Sequence, residues 1–148
     1  AVVEVNSETD FVAKNEEFVN FVNDVAEIVA TNAPADLEGL LATNYKDAGK
    51  TVKEVFTDKI ATIGENIQIR RFTRMTGDLY TYIHNGGGSL IGSMIKLESA
   101  DANSDAVKAV AKDLLLQITA SAPQFVQQSD VPASVIEAEK EVQLKLDV

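Results

Sequence analysis

The chain has 148 residues, 45% hydrophobic and 24% charged, the balance of one soluble domain or a pair of small subdomains. Its formal net charge of -10 argues against nucleic acid, because affinity for a phosphate backbone comes from clustered Lys and Arg, and fits a basic protein partner instead. It has no Cys, so disulfides, thiolate catalysis and Cys-based zinc sites are excluded, and no apolar run approaches the ~20 residues of a membrane span.

In chain order, Ala1–Asn6 alternates as a strand or the end of one. With no initiator Met and a strand at its first residues, the chain is expected to be a trimmed piece. Asn6–Phe11 is a strand-to-helix junction rich in capping residue types. Asn15-Glu16-Glu17 offers a helix cap with acidic residues in the first turn, and Thr9 or Asp10 could cap an earlier start. Phe18, Phe21, Val22, Val25, Ile28 and Val29 then recur at three and four spacing, and Asn32-Ala33-Pro34 stops the helix. A short helix over Ala35–Ala42 follows, then a loop over Asn44–Lys50. Thr51 caps a third helix carrying Val52, Val55, Ile60 and Ile63, closed by Gly64.

The period changes at Asn66-Ile67-Gln68-Ile69-Arg70, a strand that continues through Arg74. Thr76-Gly77-Asp78 reads as a turn, and Leu79–His84 as a return strand. Asn85-Gly86-Gly87-Gly88-Ser89 is a second, looser turn. Leu90–Leu97 is a further strand in which Gly92 marks a bulge or a close backbone approach. After a polar loop over Ser99–Asp105, Val107, Val110, Ala111, Leu114, Leu115 and Ile118 form an amphipathic helix ended by Ala122-Pro123. A charged helix over Ser134–Leu146 closes the chain. Asn32-Ala33-Pro34 matches Ser121-Ala122-Pro123, and the two preceding apolar stripes align. Two strand-helix units of this kind predict an α+β fold of two related subdomains, with antiparallel sheets covered by helices on one side. The expected division is 1–84, holding a strand, helices and a hairpin, and 85–148, holding a strand and helices and expected to be incomplete.

Catalytic chemistry is sparse. His84 is the only imidazole, and no Gly-x-Ser-x-Gly elbow supports a nucleophile. Gly86-Gly87-Gly88 lacks the Gly-Lys-Ser/Thr ending of a phosphate loop. Asp101-Ala102-Asn103-Ser104-Asp105 resembles the start of a calcium loop, but Ala106 and Lys112 stand where Gly and Glu are needed, so it reads as a helix-capping loop. Arg70, Arg71 and Arg74 read as a solvated or carboxylate-paired face. His84 is either an ordinary half-buried imidazole or an interface residue held on a turn. Phe11, among Glu8, Asp10 and Lys14, either tucks into the core or projects to fill a partner's pocket; the residues alone leave both open.

Four segments carry a resemblance. Val3-Glu4-Val5-Asn6-Ser7-Glu8-Thr9-Asp10-Phe11-Val12-Ala13-Lys14-Asn15-Glu16-Glu17-Phe18 resembles the signature of the elongation factor Ts family. Ile60-Ala61-Thr62-Ile63-Gly64-Glu65-Asn66-Ile67 with Arg70-Arg71-Phe72, and Tyr82-Ile83-His84 with its glycines, are similar to further family segments. Val131-Pro132 and Val135-Ile136-Glu137-Ala138-Glu139 match a fourth. The sequence departs from the pattern at Ser7, where many members carry Cys, and after His84, where the glycine loop is longer and lacks an Arg. The family's small N-terminal helical module is not in the chain.

The resemblance implies a non-enzymatic, cytoplasmic guanine-nucleotide exchange factor for elongation factor Tu, met in its GDP-bound and nucleotide-free forms, with no cofactor and no metal. It implies that Asp10 and Phe11 contact the G domain, that Phe11 wedges near the magnesium and phosphate end of the nucleotide site, and that Ile63, Gly64 and His84 make flanking contacts. The alternative is a structural or dimerisation module that does not exchange nucleotide, with a second copy of itself as partner.

Overall fold

The computed structural model describes residues 1–46, 49–86 and 89–146. The architecture is α+β, with two antiparallel two-stranded sheets and six helices among the described residues. Strand β1 (Val2–Asn6) pairs with β2 (Gln68–Thr73), and β3 (Leu79–Gly86) pairs with β4 (Ser89–Lys96).

Between β1 and β2 lie four helices. α1 (Asp10–Ala13) is a single turn whose cap Thr9 accepts the Val12 N–H. α2 (Glu16–Asn32) starts at Asn15, whose Oδ1 accepts from the N–H groups of Glu17 at 2.9 Å and Phe18 at 3.3 Å. The sequence offered two alternative helix starts, and the chain uses both, one for each helix. α2 ends at Ala33 in the left-handed region, with Pro34 next. α3 (Leu37–Ala42) is capped by Asp36, and α4 (Val52–Ile63) opens with a reciprocal Thr51/Glu54 capping box. The main core is one face of α2, Phe21, Val25, Ile28 and Val29, packed with Leu40, Val52 and Ile69 and flanked by Val3, Val5, Val55 and Phe72. Full burial of each such side chain is worth roughly 1.5–3 kcal/mol.

Leu79–His84 does not return onto the strand before it, as the turn chemistry at Thr76-Gly77-Asp78 implies. β2 is hydrogen bonded to β1, and β3 pairs with β4 from Leu79↔Lys96 to Gly86↔Ser89. Gly77 does turn the chain, at φ 122°, and a Cβ there would meet the Lys96 side chain at 2.6 Å. A local turn signal fixes a reversal of direction but not the strand that is met afterwards. The β3–β4 hairpin thus runs across the expected 84/85 division. Gly87 and Gly88 of the second expected turn lie outside the described residues, as do Asp47 and Ala48 of the earlier loop.

The β3–β4 register runs without a shift through Ile83↔Gly92, so Gly92 is not a bulge. A Cβ at Gly92 would sit 3.1 Å from Val2 Cγ1, so glycine serves the close approach of β1 to β4. Helix α5 (Asp105–Ser121) packs on the hairpin through Ala111 and Leu115, with Ser93 and Thr119 hydroxyls 2.7 Å apart and Tyr80 Oη donating to the Ala102 carbonyl. The calcium-like loop is a capping loop: Ser104 Oγ accepts the Val107 N–H and donates to the Asp101 carbonyl. After a 3-10 turn at Gln128–Asp130, helix α6 (Ala133–Leu146) leaves Val135, Ile136, Val142, Leu144 and Leu146 exposed.

Candidate functional site

The strand-to-helix junction decides the question left open at Phe11. Phe11 is 82% exposed. The other phenylalanines, Phe18, Phe21, Phe56, Phe72 and Phe125, are buried or half-buried. Within α1 the two apolar residues that follow, Val12 and Ala13, are half-buried, whereas Phe11 is exposed. An exposed Phe forgoes roughly 1.5–3 kcal/mol that burial would contribute, so core stability does not explain its place.

The turn itself is heavily bonded. Ser7 Oγ donates to the Thr9 carbonyl at 3.0 Å, and the Ala13 N–H donates to the same carbonyl at 3.2 Å. Lys14 Nζ lies 2.9 Å from Asp10 Oδ2, and this hydrogen-bonded ion pair holds the Asp10 carboxyl below its usual range. Asp10 is therefore engaged within its own helix turn. Its evident local role is to fix the residue that precedes Phe11.

Ile63 and Gly64 close α4. Ile63 is half-buried and Gly64 is exposed. Gly64 caps the helix at φ 76°, its N–H donating to the Ile60 carbonyl at 2.9 Å, and a Cβ there would meet nothing within 4 Å. Glycine is required for the backbone angle, not for space. The next residue, Glu65, joins this helix end to the junction. Its Oε2 accepts the Thr9 N–H at 3.1 Å, and its Oε1 accepts the Thr9 hydroxyl at 2.6 Å. Asp10–Phe11 and Ile63–Gly64 are thereby brought into one neighbourhood. The sequence reading singled out all four but missed Glu65. The signal was present: a carboxylate just past a helix C-terminus has the wrong charge for the helix dipole and needs a local reason.

His84 stands apart, on β3. The Tyr82 hydroxyl lies 3.1 Å from His84 Nδ1, with the two rings tilted at 6.0 Å. A Cβ on Gly86 would fall 2.7 Å from His84 Nε2, so the imidazole lies against the glycine backbone of the hairpin end. It is half-buried, and no hydrogen bond among the described residues joins it to the junction. Strand β1 passes close to β4 at Val2 and Gly92. The basic cluster is accounted for locally: Arg70 Nη1 lies 3.0 Å from Glu4 Oε1, Arg71 pairs with Oε2 of the same residue, and Arg74 Nε donates to the Ala30 carbonyl at 3.0 Å.

Among the described residues no group of three or more His, Asp or Glu side chains is arranged to hold a metal ion, and no helix is long and apolar enough to cross a membrane. The arrangement offers an interaction surface: an exposed aromatic on a braced turn, beside a helix end.

The family profile described as Elongation factor TS matches residues 8–147. The chain belongs to the elongation factor Ts family. Curated relatives named Elongation factor Ts are 44% identical over 144 residues in Syntrophotalea carbinolica, 47% over 145 residues in Clostridium perfringens and 45% over 148 residues in Trichlorobacter lovleyi. These alignments cover 95%, 96% and 95% of this chain, but only 47%, 46% and 47% of the relatives. The chain thus spans about half the length of the elongation factor Ts proteins that it matches. The matched region contains the α1 junction, the end of α4 and the β3–β4 hairpin.

Proposed function

We propose that this chain carries the working part of a cytoplasmic guanine-nucleotide exchange factor that acts on elongation factor Tu. The observation that carries the reading is the exposure of Phe11 on a turn braced on both sides. Family membership supplies the partner; the geometry supplies a rigid aromatic with nothing of its own chain to cover it. In this reading Phe11 enters the G domain near the magnesium and phosphate end of the nucleotide site and acts as an apolar wedge. Asp10, tied to Lys14, holds the wedge in register. Ile63 and Gly64 shape the adjoining surface, and His84 makes a separate contact from the hairpin. No bond is made or broken by the chain itself. Its effect is a coupling free energy: contacts that favour the empty GTPase weaken GDP by the same factor as GDP weakens them.

A buried aromatic anchor is worth roughly 2–4 kcal/mol when truncated, so Phe11→Ala slows release of fluorescent GDP from elongation factor Tu by more than about tenfold. Because the side chain is exposed in the free protein, the circular dichroism and thermal midpoint stay as they are. Stopped-flow release that is unchanged by Phe11→Ala sinks the wedge assignment.

A second reading, a structural module that pairs with itself and does not exchange nucleotide, is favoured by the exposed apolar residues Val110 and Leu114 on α5 and Val135 and Val142 on α6. Sedimentation velocity with and without elongation factor Tu separates the two: self-association alone supports the module, and a mixed complex supports the exchange factor.

A further inference from the structure

We infer that Glu65 is a positioning residue that locks the Thr9–Phe11 turn to the end of α4, so that Phe11 and Ile63–Gly64 present one rigid surface. The purpose of the lock rests on the exchange reading above, while the lock itself rests on geometry. Thr9 and Glu65 are far apart in sequence and are joined by two hydrogen bonds, one from the backbone N–H at 3.1 Å and one from the hydroxyl at 2.6 Å. A carboxylate has no proton to give, so the Thr9 hydroxyl must be the donor. That orientation turns an oxygen lone pair toward α1, where it accepts the Val12 N–H at 3.4 Å. Glu65 therefore sets the direction of the cap that starts the turn bearing Phe11.

Two further observations make this more than a surface contact. First, α1 is a single turn of four residues, too short to hold its shape unaided, since a helix of this length has not repaid its nucleation. Second, Glu65 follows the Gly64 cap of α4, where a carboxylate faces the negative end of the helix dipole. Helix stability would favour Lys or Arg there. The Thr9 N–H and O–H account for the acidic residue, since each gives the carboxylate a hydrogen bond that a basic side chain there could not accept. The nearby Lys59–Glu17 pair at 2.7 Å fastens α4 to α2 but does not reach the junction.

The test compares Glu65→Ala, Glu65→Gln and Thr9→Val with the parent chain in two measurements: amide hydrogen exchange at Thr9 and Val12 by NMR in the free protein, and stopped-flow GDP release from elongation factor Tu. Glu65→Ala is expected to speed exchange at both amides and to slow GDP release about tenfold, the loss of roughly one charge-assisted hydrogen bond. Glu65→Gln falls between the two, because its amide keeps one acceptor and presents a donor to the other Thr9 group. Combining Glu65→Ala with Thr9→Val or with Phe11→Ala adds little to the single changes, since all three act through one turn.

Unchanged amide protection in Glu65→Ala removes the lock. Lost protection with parent-like release, in a protein where Phe11→Ala does slow release, removes its role in exchange. If Phe11→Ala has no effect, the exchange reading itself falls and so does the purpose assigned to Glu65, while amide protection still decides the lock. Should Glu65→Ala fail to fold, Glu65→Gln carries both measurements.

Discussion

Arg70 and Arg71 reach the same carboxylate because β2 carries one residue more than β1 at that point. The register passes from Glu4↔Arg71 to Val5↔Ile69 and leaves Arg70 unpaired. Two adjacent side chains of a regular strand point to opposite faces, and the irregularity lets both converge on Glu4. The hydrogen bond from Arg71, helped to a lesser degree by that from Arg70, holds the Glu4 carboxyl below its ordinary 4.5, against burial, which ranks second and pushes it up. A depressed carboxyl binds fewer protons folded than unfolded, so its stabilisation is complete above pH 4.5 and is lost as pH falls below it. Glu4→Gln should therefore cost about 0.5–1 kcal/mol at neutral pH, a surface-pair value given how exposed both arginines are, and the difference from the parent should narrow in acid, as pH falls below the ordinary carboxyl range. Urea unfolding at neutral pH and in acid checks it; a gap that persists in acid assigns the effect to something other than charge.

At the scale of elements, α2 and α5 are alike in more than their stripes. Each is 17 residues long, and each ends in an alanine with left-handed backbone, Ala33 at φ 49° and Ala122 at φ 46°. We propose that the two strand-and-helix units are related copies, which the matching Ala-Pro stops support. An alanine in that region costs about 1–2 kcal/mol, part of which glycine returns through the entropy of the unfolded chain. Ala33→Gly and Ala122→Gly are each expected to stabilise the protein by about 0.5–1 kcal/mol, read as a higher urea midpoint at constant slope. A lower midpoint would show that the alanine methyl makes a contact that outweighs the strain. These helices were legible in the sequence because their signals are local: apolar residues at helical spacing, capping side chains, and a proline stop. That β3 does not return onto β2 was not, because turn chemistry says nothing about distant partners. At the site, Phe11 and His84 stood out from the residues with two readings each left open, while Asp10, Ile63 and Gly64 came from the resemblance to a family. What the residues could not supply was the exposure of Phe11, beside the half-buried Val12 and Ala13, and the Thr9–Glu65 bonds between segments far apart in sequence.

For the whole molecule, the proposed exchange function leaves one question, whether Phe11 would act as a wedge or merely as an anchor. Both would make Phe11→Ala a poor exchange factor, so the rate of GDP release alone does not separate them. The distinction is thermodynamic. An anchor contributes equally to binding GDP-bound and empty elongation factor Tu; its removal weakens both complexes by one factor and leaves their ratio as it was. A wedge contributes only where the nucleotide is absent or displaced, so its removal weakens the empty complex more and shrinks the ratio. That ratio is the coupling between the two ligands, and linkage requires it to equal the factor by which the exchange factor loosens GDP. The hydrogen bonds that brace the junction favour the wedge. A braced turn transmits contact energy into displacement of the partner, whereas a mobile aromatic would settle into whichever pocket the GDP-bound form offers. Calorimetric titration of parent and Phe11→Ala protein into elongation factor Tu, with and without saturating GDP, measures all four affinities. The expected outcome is a coupling factor reduced about tenfold or more in the variant, the share that a 2–4 kcal/mol anchor supplies when it is spent on one state only. Equal weakening of both complexes would make Phe11 an anchor and move the search for the expelling contact to Ile63–Gly64 and His84.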